Sequence, residues 1–405
     1  MGQKELDGFF AQFMTKAPLF LNKKVLQANY TPDSIMHRDD QIKQIAQVLS
    51  PCLRNEKPSN LFIYGKTGTG KTVSIKYTTS QIHELTQKNN IPLSVLYLNC
   101  KLKKVADTEY RVIAQLAREL HKEVPTTGLP TDEVYNIFYK TINETGGVFL
   151  IILDEIDQLV KKVGDEILYN LTRINSELDH AQVSLVGISN DLMFADNLDP
   201  RVKSSLSEEY IVFPPYNALQ IQDILKERAA KAFKPHIIQT GVIEKCAALS
   251  AREHGDVRRA LELLRVAGEI SERRGATTVI IAHLDEAEEK IEKDRVMELV
   301  STQPKQFQAV LYSILHLSTS QKDNQLITGD VYEIYKHVCK QTGLIPLTQR
   351  RISDIIAELD MLGIICSRVI SKGRYGRTRE ISVAVPENTI PKIYSVLLES
   401  LDLKE

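Results

Sequence analysis

Residues 65–72 read Gly-Lys-Thr-Gly-Thr-Gly-Lys-Thr, which matches the phosphate-binding pattern GxxxxGK(S/T) at every fixed position. An apolar run at residues 61–64 precedes this stretch, and a helical pattern at residues 73–88 follows it. Glycines allow backbone N–H groups to curl around phosphate oxygens, and the amino end of a helix adds partial positive charge at the same point. The stretch therefore predicts a strand, a loop and a helix that together bind the phosphates of a nucleotide.

The loop also carries side chains suited to a triphosphate and its metal ion. Lys71 is expected to reach the β and γ phosphates, and Thr72 is expected to offer its hydroxyl to Mg²⁺. The predicted cofactors are therefore ATP or ADP with Mg²⁺. The nucleotide-binding residues predicted in this segment are Gly65, Lys66, Thr67, Gly68, Thr69, Gly70, Lys71, Thr72 and Val73.

A second apolar run, residues 148–153, ends in two adjacent carboxylates. We expect Asp154 to hold Mg²⁺, directly or through water, and Glu155 to orient and polarise the attacking water. Adjacent strand residues point to opposite faces, but the turn at the end of the strand allows both side chains to approach the nucleotide. Asp157 is expected to be structural or to cap a helix.

Apolar runs alternate with helical patterns over the first half of the chain. The predicted strands are residues 61–64, 93–98, 148–153, 183–188 and 210–213. This alternation is typical of βαβ units and predicts a parallel sheet with helices on both faces. Four helical patterns follow Pro214-Pro215, at residues 220–232, 241–254, 257–273 and 284–299.

The last third of the chain has a different order of elements. Helical patterns at residues 304–317, 328–342 and 347–362 precede two predicted strands at 364–370 and 380–385, which is the arrangement of a winged helix-turn-helix. The predicted domains are an N-terminal arm (1–29), a nucleotide-binding core (30–213), a helical lid (214–300) and a winged-helix DNA-binding domain (301–405).

Charge is balanced over the whole chain of 405 residues, with 51 Lys and Arg against 52 Asp and Glu. A uniformly basic nucleic-acid coat is thereby excluded, so DNA binding requires local clusters. Long apolar segments and a secretory signal are not evident, so we expect a cytoplasmic, nucleoid-associated protein. The five cysteines are scattered, which predicts that the chain has neither disulfides nor a zinc site.

One such basic cluster occupies residues 366–379, which hold five basic residues and no acid. A polyanion is the natural partner of this charge, although a protein partner or plain solvation is the alternative. The start of the third helix is also basic, as expected of a recognition helix in the major groove. The DNA-binding residues predicted here are Thr348, Gln349, Arg350, Arg351, Arg368, Lys372, Gly373, Arg374, Tyr375, Arg377 and Arg379.

The phosphate loop and the paired carboxylates resemble those of AAA+ ATPases. By that resemblance, Asn190 corresponds to sensor 1, Arg201 in the segment LDPR to the arginine finger, and Arg258 in GDVRRAL to sensor 2, with Arg259 as the alternative. These three residues and Glu155 form the predicted catalytic set. The arginines are suited to neutralise charge on the transferring phosphoryl group.

Two segments before the loop resemble the AAA+ segment that encloses the adenine. They are Tyr30-Thr31-Pro32 and the stretch that begins with His37-Arg38. The resemblance implies nucleotide contacts from Tyr30, Pro32, His37 and Arg38, whereas an ordinary helix cap is the alternative for each of them.

The ordered set of P-loop core, helical lid and basic C-terminal wing resembles the archaeal replication initiators, over about residues 20–395. These are relatives of the eukaryotic origin-recognition and helicase-loader ATPases. The resemblance implies an α/β P-loop AAA+ core, a helical lid and a C-terminal winged helix. It also implies binding to duplex origin DNA, loading of the MCM replicative helicase, slow ATP hydrolysis as a switch, and other initiator copies on the DNA.

Residues 167–175 lie where these initiators insert a DNA-contacting helix, so Arg173 is a predicted DNA-binding residue. The alternative is a helix that only covers the sheet.

Two other functions are considered for the chain as a whole. A clamp-loader-type ATPase would have an apolar, all-helical C-terminal collar, and the basic wing argues against it. A regulator with a purely structural nucleotide would not need Glu155 and Arg201.

Overall fold

The computed structural model describes residues 18–27, 30–32, 34–101, 106–125, 127–206, 208–320, 326–371, 377–385 and 389–403. The chain forms two compact units, Met1–Leu284 and Asp285–Glu405. Within the described ranges, no helix has the length and apolar character needed to cross a membrane.

The first unit is built on a five-stranded sheet in which every pair of neighbouring strands is parallel. The strands are β1 (Asn60–Tyr64), β2 (Leu93–Asn99), β3 (Gly147–Asp154), β4 (Ala181–Ser189) and β5 (Glu208–Val212). Their order across the sheet is β2-β3-β4-β1-β5. The predicted parallel sheet is confirmed.

Strand β3, which lies between β2 and β4, shows why a continuous apolar run predicts a strand of this sheet. Val148, Leu150 and Ile152 pack into the core on one face of the sheet, and the residues between them pack into the core on the other face. A strand that is buried on both faces needs a continuous apolar run rather than an alternating one.

Helices cover both faces of this sheet and then form the lid. They are α1 (Asp39–Leu49), α2 (Lys71–Lys88), α3 (Glu109–Glu119), α4 (Thr131–Thr145), α5 (Ile156–Val163), α6 (Glu166–Arg173), α7 (Pro200–Leu206), α8 (Ala218–Ala232), α9 (Val242–Arg252), α10 (Val257–Arg274) and α11 (Ile281–Thr302). Helix α11 begins in the first unit and ends in the second, so the predicted lid boundary at residue 300 falls inside a helix.

The helix predicted at residues 167–175 is not an α-helix to its end. Helix α6 ends at Arg173, and a 3₁₀ turn, Ile174–Ser176, follows. The Asn175 side chain accepts from the Val183 N–H at 2.7 Å and donates to the Val183 carbonyl at 2.9 Å. This pairing with strand β4 holds the chain in the tighter turn.

The described part of the N-terminal arm packs on the lid. The rings of Phe20 and Phe233 lie 4.4 Å apart, and the Leu21 N–H donates to the Ala232 carbonyl at 2.8 Å. The Leu19 N–H donates to the Glu272 side chain at 2.9 Å. The arm therefore belongs structurally to the lid helices α8 and α10.

The second unit is a winged helix, as predicted. Its further elements are α12 (Lys305–Ser320), β6 (Leu326–Ile327), α13 (Thr328–Thr342), α14 (Gln349–Met361), β7 (Ile365–Ser371), β8 (Arg377–Val383) and α15 (Ile390–Leu401). The antiparallel sheet has the order β6-β8-β7. Helix α14 buries an apolar stripe that includes Ile352, Ile355 and Leu359. Strand β6 and helix α15 were not predicted.

Candidate functional site

The phosphate loop lies between β1 and α2, with Gly68 and Gly70 in the left-handed region at φ 73° and 91°. A Cβ atom at Gly68 would lie 1.7 Å from a carboxylate oxygen of Asp256 in the lid. A Cβ atom at Gly70 would lie 2.8 Å from the Tyr216 hydroxyl. These glycines are therefore required both by backbone conformation and by the close approach of neighbouring residues.

The Lys71 ammonium lies inside the loop. It donates to the carbonyls of Gly65 at 2.6 Å and Lys66 at 2.8 Å, and to Oδ1 of Asn190 at 2.8 Å. Burial lowers the pKa of Lys71 to about 8, and the nearby Asp154 carboxylate opposes that shift. A buried cation whose three hydrogen-bond partners are neutral oxygens is well suited to receive a phosphate anion.

The two predicted metal ligands lie together. The Thr72 hydroxyl donates to Oδ2 of Asp154 at 2.9 Å, and the carboxylate is only 4% exposed. The Tyr97 hydroxyl donates to the same oxygen at 2.7 Å, and the Glu155 N–H donates to Oδ1 at 3.0 Å. Burial raises the pKa of the Tyr97 phenol well above its usual range, and the bond to Asp154 raises it further.

This pair of ligands fits Mg²⁺ better than a metal held entirely by protein. One carboxylate and one hydroxyl are the set that Mg²⁺ takes when phosphates and water complete its coordination. Among the residues that the structure describes, no cluster of three or more His, Cys, Asp or Glu side chains could hold a metal ion.

Glu155 follows Asp154 with its backbone in the left-handed region, at φ 56° and ψ 46°. This conformation turns the chain sharply from β3 into α5, and both carboxylates line one cavity. The Glu155 side chain is 20% exposed, and its Oε2 lies 3.9 Å from the Lys101 ammonium. A non-glycine residue in the left-handed region costs conformational energy, and such residues cluster at functional sites.

The cavity lies between the core and the lid of the first unit. Most of the predicted nucleotide-binding and catalytic residues line it. They are Tyr30, Pro32, Gly68, Thr69, Gly70, Lys71, Thr72, Val73, Asp154, Glu155, Asn190 and Arg258. The arrangement therefore places the charged residues and the predicted adenine segment on one concave surface.

Some predicted residues are not part of that lining in the described chain, namely His37, Arg38, Gly65, Lys66, Thr67 and Arg201. Arg38 is buried, and its guanidinium donates to the carbonyls of Thr69 at 2.9 Å and Pro214 at 2.6 Å. It also lies 3.6 Å from the centre of the Tyr216 ring. Arg38 therefore braces the phosphate loop, and its contact with the nucleotide stays a prediction.

His37 links the core to the lid, since its Nε2 lies 3.1 Å from Oδ2 of Asp223 on α8. Gly65 and Lys66 contribute through the carbonyls that accept from Lys71, and the Thr67 side chain is exposed.

The sequence did not single out the apolar end of the cavity. Its lining includes Ile35, Met36, Tyr216, Ile224, Arg228 and Leu261. The Arg228 guanidinium lies 4.5 Å from the centre of the Tyr30 ring. An apolar, aromatic end opposite a charged end suits the base and the phosphates of one nucleotide. Ile224 and Leu261 lie on the apolar stripes of helices, so the sequence pattern alone does not distinguish them from residues of the hydrophobic core.

Asn190 and Asp157 are linked at the end of β4. Oδ1 of Asp157, which is 3% exposed, accepts from the Ser189 hydroxyl at 3.3 Å and the Asn190 N–H at 3.4 Å. Because the Asn190 side chain accepts from Lys71, the buried carboxylate fixes the backbone that carries this contact.

The two candidate arginines of the lid motif differ in their contacts. Arg258 lines the cavity, and its charge acts on Lys71. Arg259 forms an ion pair with Glu253. Asp256 caps helix α10 by accepting from the Arg258 N–H at 2.8 Å. Arg258 is therefore the arginine directed toward the phosphate end.

Arg201 lies on α7 with its side chain 84% exposed. Its Nε donates to Oδ1 of Asp199 at 3.1 Å.

Arg173, at the end of α6, is also exposed, and its guanidinium lies 4.7 Å from the centre of the Tyr169 ring. Helix α6 buries Ile167, Leu168 and Leu171, so it covers the sheet and presents Arg173 outward.

In the winged helix, Thr348 caps α14 by accepting from the Arg351 N–H at 3.4 Å. Gln349 and Arg350 are exposed in the first turn, whereas Arg351 lies 3.9 Å from Asp354 and 3.7 Å from Glu358.

On the wing, Arg368 is exposed, and Arg379 donates to the Ser367 hydroxyl at 3.2 Å. The backbone of Arg377 begins strand β8. The predicted residues Lys372, Gly373, Arg374 and Tyr375 lie outside the described residues.

Comparisons with known proteins match these regions to three family models. Residues 54–192 match the AAA domain, residues 222–289 the Cdc6 AAA+ ATPase-type lid domain, and residues 298–392 the CDC6 C-terminal winged helix domain.

Curated relatives and a solved structure match nearly the whole chain. An ORC1-type DNA replication protein of Pyrococcus furiosus is 53% identical, over 98% of this chain and 93% of its own. One from Thermococcus onnurineus is 51% identical, over 97% of this chain and 95% of its own. The structure of the Aeropyrum pernix ORC1 protein in complex with DNA is 45% identical, has a TM-score of 0.83, and covers 95% of this chain and 98% of that one.

Proposed function

The chain belongs to the ORC1-type DNA replication proteins, archaeal initiators of the AAA+ ATPase class, and on that premise we propose that bound ATP or ADP controls its grip on duplex origin DNA. The observation that carries this proposal is the cavity between core and lid. There Lys71 and Asp154 of the core and Arg258 of the lid face one space. A nucleotide in that space would contact both parts, so its phosphates would affect their relative position.

The binding roles follow from the contacts. The Lys71 ammonium exchanges carbonyl partners for phosphate oxygens, and the loop N–H groups and the start of α2 bind the same phosphates. Thr72 and Asp154 hold Mg²⁺, which neutralises phosphate charge when bound. The apolar end beside Tyr30 and Ile224 accepts the base.

The catalytic roles fall to Glu155 and Asn190. The Glu155 carboxylate polarises the attacking water and accepts its proton as the water oxygen bonds to the γ phosphorus and ADP leaves. Its separation of 3.9 Å from the Lys101 ammonium leaves the carboxylate available for this role. Asn190 holds Lys71 at the phosphate end. Arg201 is exposed and lies outside the described lining of its own cavity, so we assign it to the nucleotide of a neighbouring copy. A chain that lacks this arginine at its own site would hydrolyse ATP slowly, which suits a switch.

The winged helix is the main proposed DNA contact. Gln349 and Arg350 are exposed at the start of α14, where a recognition helix contacts bases. Arg368 and the basic wing would bind phosphates, and Arg173 would add a contact from the core. The similar Aeropyrum pernix ORC1 protein forms a complex with DNA, which supports a DNA ligand for this chain. Since duplex DNA is the proposed ligand, the proposed location is the cytoplasm, on the chromosome.

Help in loading the MCM helicase, and assembly with other initiator copies, are proposed from the family resemblance. The clamp-loader alternative is less well supported, because the C-terminal unit contains the three-stranded sheet β6-β8-β7 rather than helices alone.

Genomic footprinting with the purified full chain tests the proposal. Protein is bound to fragmented DNA of its source genome in the presence of ATP or ADP, and protected sequences are mapped. We expect protection concentrated at a few sites. Uniform coverage, or none with either nucleotide, would contradict an origin-binding function.

A further inference from the structure

Tyr97 contacts the predicted metal site although it lies in the middle of an apolar run. It is on β2, opposite Ile152 of β3, and Asp154 is the diagonal neighbour two residues further along β3. The Tyr97 hydroxyl donates to Oδ2 of Asp154 at 2.7 Å. Neither the phosphate-loop pattern nor the paired carboxylates required a phenol at this position.

We propose that Tyr97 is a positioning residue for Mg²⁺, which fixes the Asp154 carboxylate in the orientation that binds the ion. This inference rests on the proposed binding of a nucleotide with Mg²⁺. The last torsion angle of an aspartate side chain takes a broad range of values when no group donates a hydrogen bond to its carboxylate oxygens. In this site Thr72 and Tyr97 donate to one oxygen and the Glu155 N–H donates to the other, so both oxygens are fixed.

The three donors do not have equivalent roles. The Thr72 oxygen is itself a predicted metal ligand, so its geometry changes with the metal. The Glu155 N–H belongs to the turn that carries the water-activating carboxylate. Tyr97 has no part in binding the phosphates, and it can keep its bond to Asp154 whether or not the metal is bound.

The ring of Tyr97 is held in place. The Lys76 ammonium lies 3.9 Å from its centre, and the ring packs against the core on that face of the sheet. A phenol whose ring is already packed loses little freedom when it bonds to Asp154, and this makes it an effective support for a metal ligand.

The test is the substitution Tyr97→Phe, which removes one hydroxyl and keeps the ring. Binding of a fluorescent ATP analogue to the full chain is measured as a function of Mg²⁺ concentration, and again with EDTA. We expect the Mg²⁺ midpoint to rise by about threefold or more, since partners of metal ligands typically contribute about 10–100-fold to metal affinity. Nucleotide affinity in EDTA should stay within about twofold of wild type, because no phosphate contact is lost.

Tyr110→Phe is the matched control. Its hydroxyl donates to the Pro125 carbonyl at 2.9 Å in the same domain, so the substitution also removes one phenol hydrogen bond, but away from the cavity. This variant should keep the wild-type Mg²⁺ midpoint. The unfolding temperature of both variants without nucleotide reports any general loss of stability.

The outcomes separate this inference from the function on which it rests. If wild-type protein binds the analogue equally with Mg²⁺ and EDTA, the proposed metal site is wrong. If wild type depends on Mg²⁺ and Tyr97→Phe has the same midpoint, or loses equal affinity in Mg²⁺ and in EDTA, the positioning role of Tyr97 is wrong.

Discussion

The nucleotide cavity and the winged helix both depend on charged side chains, but they hold them in opposite ways. In the cavity, Lys71 and Asp154 are buried and bonded to several partners each. On the winged helix, Arg350 and Arg368 are exposed. Buried charges act through exact geometry, so one substitution has a large effect. Exposed charges each contribute a separate attraction to DNA, and salt screens that attraction. A single substitution on the winged helix therefore has a small effect on affinity.

The largest expected effect is on hydrolysis. Glu155→Gln removes the carboxylate that accepts a proton from water, and we expect ATP turnover to fall by about 10²–10⁴-fold. ATP affinity should stay within about threefold, because the side chain lies beside Lys101 and not on the loop. Single-turnover hydrolysis and equilibrium binding measure the two quantities. Glu133→Gln, on the exposed first turn of α4, is the control, and turnover that survives in Glu155→Gln would refute the assignment.

Binding of nucleotide comes next. Lys71→Ala removes a buried ammonium that makes three hydrogen bonds, and we expect ATP affinity to fall by about 100-fold, or roughly 2.7 kcal/mol. Isothermal titration measures this change. Lys88→Ala, at the exposed end of the same helix, should bind ATP normally. Equal affinity in the two variants would mean that the phosphates bind elsewhere.

A smaller effect is expected on the winged helix. Arg350→Ala should weaken binding to a footprinted duplex by about 5–150-fold at fixed salt, which is the range of one base contact of about 1–3 kcal/mol. Lys305→Ala, exposed at the start of α12, is the control. Fluorescence anisotropy measures the affinities. Undiminished binding by Arg350→Ala would remove the start of α14 from the DNA interface.

The smallest effect on DNA affinity is expected for the substitution Arg173→Ala. A single phosphate contact from the core should change affinity by only about twofold to fivefold, and should reduce the slope of log affinity against log salt by about one. Glu166→Gln, at the other end of the same helix, keeps the helix and should leave the slope unchanged. An unchanged slope in Arg173→Ala would support the alternative, in which α6 only covers the sheet.

The sequence predicts features that depend on local patterns, and it misses features that depend on contacts between distant residues. Continuous apolar runs and the glycine pattern are local, so all five parallel strands and the phosphate loop were predicted. The position of Arg38 depends on the carbonyls of Thr69 and Pro214, which are remote in sequence, so no local pattern could show that it braces the phosphate loop. Tyr97 looked like one more apolar strand residue, because its bond to Asp154 exists only in the folded sheet. Strand β6 has two residues, too few to show a pattern.

We propose above that the nucleotide in the cavity controls DNA binding by the full chain. The direct measurement is the affinity for one footprinted duplex at fixed salt with ATP, with ADP and without nucleotide, for wild type and for Lys71→Ala. We predict that the ATP and ADP forms of wild type differ by about fivefold or more, as coupled sites typically do, and that Lys71→Ala shows no difference. Equal affinities in wild type, or a difference that persists in Lys71→Ala, would contradict the account.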